Sequence, residues 1–181
     1  DSRIKIIRLT KNLGSAVARN EGIKVAIGKY LTFLDGDDIW FPNFIEKSIQ
    51  TIKTTKINFV FASYKRLDED LNPFLNDFIV PQKVSYHDIL KTNSISCLTA
   101  FVDVEKLGKE IMPNITYRQD MGLWLKYLKK IEYAYGNKEI LASYRIRDKS
   151  HSRNKKNLFQ NSFLFKILKF NTIHCVRFGN V

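Results

Sequence analysis

The stretch Lys29-Tyr30-Leu31-Thr32-Phe33-Leu34-Asp35-Gly36-Asp37-Asp38 decides the fold. Its first six residues are mostly apolar and β-prone, which predicts a buried strand over Lys29–Leu34. The strand runs straight into an acidic turn. Three carboxylates within four residues repel one another, and at a buried strand end that crowding calls for a cation. The plainer reading is an Asp-Gly turn with its charges in water, since turns are rich in these residues.

Working outward, Lys5–Leu9 reads as a short strand, and Asn12-Leu13-Gly14-Ser15 as a turn with Ser15 or Asn12 as a helix cap. Ala16, Asn20, Ile23 and Ile27 then line one face of a helix that ends at Gly28. Beyond the acidic turn, Pro42 suits the first turn of a second helix, with Phe44, Ile45, Ile49 and Ile52 facing inward. Ile57–Ser63 is a strand, followed by a polar loop through Asp68-Glu69-Asp70 and Asn72-Pro73. Ser85 and Asp88 are spaced as a cap for a short helix ending near Lys91. Ser96–Val102 reads as a strand, Gln119–Lys130 as a helix with Met121, Trp124, Leu125 and Leu128 on its apolar face, and Glu139–Ile146 as a last strand. Strands alternating with helices over the first sixty or so residues imply a parallel sheet with crossover helices. In such sheets ligands bind beyond the carboxyl ends of the strands, where the acidic turn lies.

The combination is more specific than any one element. Asn12-Leu13-Gly14 with Ala18-Arg19-Asn20-Glu21-Gly22, then Gly28-Lys29-Tyr30, then the strand ending in Asp35-Gly36-Asp37-Asp38, resembles glycosyltransferase family 2 of the GT-A fold. The pattern N-x-G-x-x-x-A-R-N-x-G, a helix, G-x-[YF] and D-x-D-D is matched with its spacing intact. The likeness continues through Tyr117-Arg118-Gln119-Asp120, where the family places a Glu-Asp pair; Gln119 stands here in place of the usual Glu. Tyr144-Arg145-Ile146-Arg147 with Ser150-His151-Ser152 is similar to the segment that closes such catalytic regions.

The resemblance implies an α/β fold of GT-A type with a mixed, mostly parallel sheet. Residues 1–150 would be the C-terminal part of the catalytic domain, with its first two strand–helix units missing. It implies an inverting transfer of a hexose or N-acetylhexosamine from a nucleotide-sugar, expected to be a UDP-sugar, to a polysaccharide or lipid-linked glycan. Asp37 would be the main metal ligand for Mn²⁺ or Mg²⁺, with Asp38 supporting it and Asp35 at the ribose or the metal shell. Arg19 and Asn20 would meet the donor, and Asp120 would be the general base. A helix-terminal acid stabilised by the helix dipole is the ordinary reading of Asp120, and a solvated helix cation that of Arg19. For Asn20 it is a buried polar residue that caps the loop before it. Arg145 and Arg147 alternate, so both point one way, to a diphosphate, a charged acceptor or solvent, and Arg147 is taken as donor-binding. His151 is a further metal-ligand candidate whose plainer reading is a loop histidine.

The chain has 181 residues and a net charge of +12. From His151 to Val181 there are six Lys or Arg and no Asp or Glu, so these 31 residues carry half the excess. Leu158, Phe159, Phe163 and Leu164 open an apolar run within them. Residues 151–181 therefore read as a basic amphipathic tail, able to lie on a membrane surface or to pack on the catalytic domain. Cys97 and Cys175 have no zinc-ligand spacing and suit a reducing compartment. No run of apolar residues is long enough to cross a bilayer. A cytoplasmic protein, at the inner face of the membrane where the tail engages it, is the expectation. Nucleic acid is not an expected partner, because no RNA- or DNA-binding signature accompanies the charge. The competing expectation is a non-catalytic fragment that binds the membrane surface as a scaffold.

Overall fold

The computed structural model describes residues 3–147, and the contacts divide the chain after Ile146. The first unit is built on a mixed sheet that runs β1 (Tyr30–Thr32), β6 (Phe101–Asp103), β3 (Phe59–Leu67), β7 (Ala134–Arg145), β2 (Ile39–Trp40). Two further strands extend it: β4 (Pro73–Phe78) pairs with β3, and β5 (Lys83–Val84) with β7. Helices α1 (Ser15–Val25), α2 (Phe44–Thr55), α3 (Tyr86–Lys91), α4 (Val104–Leu107) and α5 (Gln119–Leu128) complete it.

The α/β mixed sheet is the one expected, but its parallel share is smaller. Among the described strands only β3 and β7 pair in parallel. β6 is antiparallel to both β1 and β3 and separates them, so these two run the same way without touching. Strand–helix–strand order sets direction, and a later strand has taken the place between them.

Side-chain alternation along β3 divides the core into two layers. Val60 and Ala62 join Phe44 and Ile52 of α2, Phe101 of β6 and Leu141 of β7 in one cluster. Phe59 points the other way, against Trp124 at 5.3 Å and Tyr127 at 5.9 Å between ring centres. Helix α5 is enclosed almost all round, with Met121, Leu123, Trp124, Leu125, Tyr127 and Leu128 buried. Gly122 on it faces Pro113 so closely that a Cβ would collide with the ring.

Several local expectations are corrected. Residues 4–14 form no strand; Ile4 and Ile6 are exposed, and no described strand lies beside them to accept their backbone groups. Helix α1 has no side-chain cap: Gly14 precedes it at φ 87°, and Asn12 instead accepts from the Gly14 N–H at 3.0 Å. It ends at Val25, leaving Ile27 exposed beyond it. On α2 the inward positions are Phe44, Ser48, Thr51 and Ile52, while Ile45 faces out. Ser48 and Thr51 are buried there because each hydroxyl donates to the carbonyl one turn earlier. The supposed strand at Ser96 opens with a 3-10 turn, Cys97–Thr99, capped by the Ser96 hydroxyl, and extends only from Phe101. The polar loop after β3 is a tight turn into β4, closed by Asp68, whose carboxylate accepts from the Asp70 and Asn72 N–H groups. The Ser85–Asp88 capping box on α3 is as expected.

Candidate functional site

The acidic turn joins β1 to β2. The Asp38 N–H donates to the Asp35 carbonyl at 3.1 Å, which closes the turn. Its two flanks are fixed at distant points. β2 pairs with β7, and the Asp38 carboxylate accepts from the Arg145 backbone N–H at 2.9 Å. Asp35 receives Arg19, whose Nη2 lies 2.7 and 2.6 Å from the two carboxylate oxygens. A helix and a strand thus hold the turn from opposite ends.

Burial pushes the Asp38 carboxyl up to about 7, and the neighbouring Asp37 and Asp35 add to the rise. The Arg145 N–H and guanidinium act against it. Burial also opposes the charge of Arg19, but Cys97, Asp35 and Asp120 outweigh it and its pKa is raised. Since burial holds the Cys97 thiol protonated, the carboxylates carry that attraction.

Asp120 sits in the first turn of α5, after Arg118 in the left-handed region at φ 56°. Burial raises its pKa, while the Met121 N–H, the Asn93 amide and Arg19 work to lower it. Asn93 Nδ2 is 3.2 Å from Asp120 Oδ2. Arg19 and Cys97 each interact electrostatically with both Asp120 and Asp35, so the acidic turn and the α5 carboxylate share one neighbourhood. Beside it a cavity of about 300 Å³ lies between α1 and the β1 end, lined by Arg19, Ile23, Leu31, Phe33 and Asp35 among others.

Of the residues singled out from the sequence, Arg19, Asp35, Asp38 and Asp120 are brought together. Asp37 lies between Asp35 and Asp38 on the same turn. Asn20 Nδ2 donates to the Met112 carbonyl at 2.9 Å and its Oδ1 accepts from the Met112 N–H at 2.7 Å, which ties α1 to the segment before α5. Arg147 follows the last strand and is exposed. Because β7 ends at Arg145, the strand alternation expected to pair these two arginines stops between them. His151, and the whole 151–181 tail, lie outside the described residues.

Two participants, Cys97 and Asn93, carried no signal of their own. Cys97 reaches the site because the 3-10 turn places it there. Asn93 does so through the loop before that turn. Arg145 is half-buried with its Nε lacking a partner, a donor turned inward beside the acidic turn. Among the described residues no three His, Cys, Asp or Glu side chains converge as a ready-made metal cage. A nucleotide-bound Mg²⁺ needs less than that, one or two carboxylates plus phosphate oxygens. The acidic turn carries oxygen ligands of that kind in Asp37 and Asp38, while both oxygens of Asp35 are held by Arg19.

A mixed α/β sheet with a carboxylate-rich turn past a strand end, facing a helix-borne acid, defines the GT-A class of sugar-nucleotide transferase folds. The comparisons agree. Residues 1–104 match Glycosyl transferase family 2, and the chain belongs to that family. It is 42% identical over 156 residues to a Bacillus subtilis protein provisionally named teichuronic acid biosynthesis glycosyltransferase TuaG, covering 86% of this chain and 62% of TuaG. It is 35% identical to the Escherichia coli UDP-Glc:alpha-D-GlcNAc-diphosphoundecaprenol beta-1,3-glucosyltransferase WfgD, covering 86% of this chain and 60% of WfgD. The chain thus spans less than two thirds of these relatives. The fold is similar to S. aureus TarS solved with UDP-GlcNAc, with a TM-score of 0.62 at 14% identity over 81% of this chain and 43% of TarS. No helix among the described residues is long and apolar enough to cross a membrane.

Proposed function

We propose that this chain carries the base and the metal-binding turn of an inverting glycosyltransferase. In this reading it moves a hexose or N-acetylhexosamine from a UDP-sugar to a lipid-linked glycan or a growing polysaccharide. One observation carries the reading: Arg19 grips Asp35 of the acidic turn while its charge also faces Asp120 on α5. The donor end and the acceptor end of a transfer reaction are thereby linked through one side chain.

An inverting transfer needs the acceptor hydroxyl deprotonated as it attacks the anomeric carbon from the face opposite the nucleotide. Asp120 is a single carboxylate suited to take that proton. Burial raises its pKa, and the Met121 N–H, the Asn93 amide and Arg19 act against that rise. Arg19 supplies fixed positive charge beside the path of the departing diphosphate. Asp37 and Asp38 would hold Mn²⁺ or Mg²⁺, which when bound neutralises charge growing on the leaving nucleotide. Arg145, with its unpartnered Nε, is suited to an anionic group of donor or acceptor. A lipid-linked acceptor is favoured by the WfgD name, which specifies a diphosphoundecaprenol substrate for that protein. It would place the reaction at the inner face of the membrane, where the basic tail of residues 151–181 would rest.

The test is transfer of labelled sugar from UDP-glucose and UDP-GlcNAc to a GlcNAc-diphospho-lipid by the full-length protein, with Mn²⁺ or with EDTA. Asp120→Asn should lower kcat by about a hundredfold or more, the usual scale for loss of a general base. Asp37→Ala should weaken UDP binding only when Mn²⁺ is present. Full activity of Asp120→Asn, or turnover in EDTA equal to that in Mn²⁺, would refute the assignment.

A further inference from the structure

We propose that Asn93 is the positioning residue for the base: its amide holds one oxygen of Asp120 and leaves the other to the acceptor hydroxyl. This rests on the assignment of Asp120 as the base.

Asn93 lies two residues after α3, at the start of the loop that leads to the 3-10 turn. That loop is pinned at several points. The Trp124 indole N–H donates to the Ile95 carbonyl at 3.1 Å, and the Trp40 indole N–H to the Leu98 carbonyl at 2.7 Å. The Thr99 hydroxyl donates to the Ala62 carbonyl of β3 at 2.8 Å. Trp124 is one turn along α5 from Asp120, so the loop and the base are fixed to the same helix. An amide carried on such a loop keeps its place relative to the carboxylate.

With Asp120 ionised, as the proposed base must be before it takes a proton, the amide has one orientation. Asn93 Nδ2 meets Asp120 Oδ2, because only the NH₂ end can donate to an ionised carboxylate. Asn93 Oδ1 is buried without a partner. A buried acceptor left unpaired is unfavourable by itself, and the donor contact to Asp120 offsets it. The contact also fixes rotation of the carboxylate. Its donors come from two elements, the α5 N-terminus and the 93–100 loop, so the plane of the carboxylate is set as well as its position. In the reaction the acceptor O–H bond breaks and its proton passes to Asp120 Oδ1. The freed oxygen bonds the anomeric carbon, and the bond to the nucleotide phosphate breaks with the electron pair leaving on the diphosphate.

The other groups facing Asp120 are Arg19 from α1, the Cys97 thiol from the 3-10 turn and the N–H groups of its own helix. All of them remain when Asn93 is replaced. Removing its donor therefore leaves burial less opposed, and the base must be titrated at higher pH.

The experiment is the pH dependence of kcat/KM for the full-length protein and its Asn93→Leu, Asn93→Asp and Asp120→Asn variants, with thermal unfolding as a control. Asn93→Leu keeps the branched outline of the side chain, though it is larger, and removes the donor. The expected result is a fall in kcat of about tenfold or more, an unchanged KM for the donor, and an acid limb moved to higher pH. Asn93→Asp sets a second carboxylate beside the base and should move the limb further the same way. An acid limb that stays at the wild-type pH in a folded variant overturns the proposal. So does loss of folding in both Asn93 variants, which makes the residue structural. Asp120→Asn separates the two levels. If it stays active, the base assignment falls; if it is inactive while the Asn93 limb does not move, only the positioning role falls.

Discussion

Replacing Asn20 by Leu should destabilise the fold and leave the chemistry of the site alone. The side chain donates to the Met112 carbonyl at 2.9 Å and accepts from the Met112 N–H at 2.7 Å, across a gap of 92 residues in sequence. The two hydrogen bonds contribute about 1 kcal/mol each. Leu cannot replace them, so a part-buried N–H and C=O lose their partners, and each orphan costs about 1 kcal/mol more. The total is about 4 kcal/mol, because buried Met112 gains little from solvent in return. At a urea slope of about 2 kcal/mol per molar, the midpoint should fall by about 2 M. The assay is urea unfolding followed by tryptophan fluorescence, since Trp124 is buried a turn past the α5 start and reports on that packing. UDP binding, measured well below the transition, should change less than threefold. An unchanged midpoint together with lost UDP binding would refute the reasoning and return Asn20 to the donor.

Gly136→Ala should be among the more damaging single-methyl additions, by about 2 kcal/mol, because the new Cβ would run into the Pro81 backbone carbonyl and meet Phe61 and Val80 at 3.0 Å; differential scanning calorimetry reads it. With EDTA present, Asp38 should give the fold a stability that declines with rising pH. Its folded pKa of about 7 exceeds the unfolded value of 3.8, so the native state binds more protons between them and loses relative stability from pH 4 to 7. Asp38→Asn should remove that decline, and thermal midpoints at pH 5 and pH 8 will show whether it does. Trp124→Phe leaves the Ile95 carbonyl without its 3.1 Å donor, and should cost about 2 kcal/mol and loosen the 93–100 loop, read as faster hydrogen exchange at Cys97 and Leu98.

The donor half of the site was legible because its parts lie close in sequence. Arg19, the β1 strand and the acidic turn fall within twenty residues, and the resemblance to the family pattern grouped them. Asp120 came through the same family frame despite Gln119, whose amide in the structure donates to Ser15 Oγ at 2.7 Å and so bonds α5 to α1. Sheet order was not legible. Nothing in Ser96–Val102 announces that Phe101–Asp103 will lie between β1 and β3, because strand adjacency is decided by long-range pairing rather than local pattern. The same holds for Asn20, whose partner is 92 residues away, and for Asn93 and Cys97, ordinary residues given their place by two tryptophan anchors. Ile45 was misread for a different reason: it fits the apolar period, but Ser48 and Thr51 satisfy their hydroxyls on the helix itself and can be buried in its stead.

The two sides of the site differ in how firmly they are held, and that difference follows the chemistry asked of each. Asp120 rises from a helix whose Leu123, Trp124 and Tyr127 are fully buried, so its carboxylate cannot shift without disturbing the core. A base must lie within hydrogen-bond reach of one hydroxyl, and small displacements are costly in rate. The acidic turn is half-exposed, and Arg19 and the Arg145 N–H are among the groups that hold it. That half-exposed setting would suit the proposed role of admitting and releasing a nucleotide each turnover. Arg19 couples the two halves, because the guanidinium that binds Asp35 also lowers the pKa of Asp120. In the proposed reaction, a donor phosphate that drew Arg19 away from Asp35 would change the charge facing Asp120, which would link donor binding to proton transfer through this one side chain.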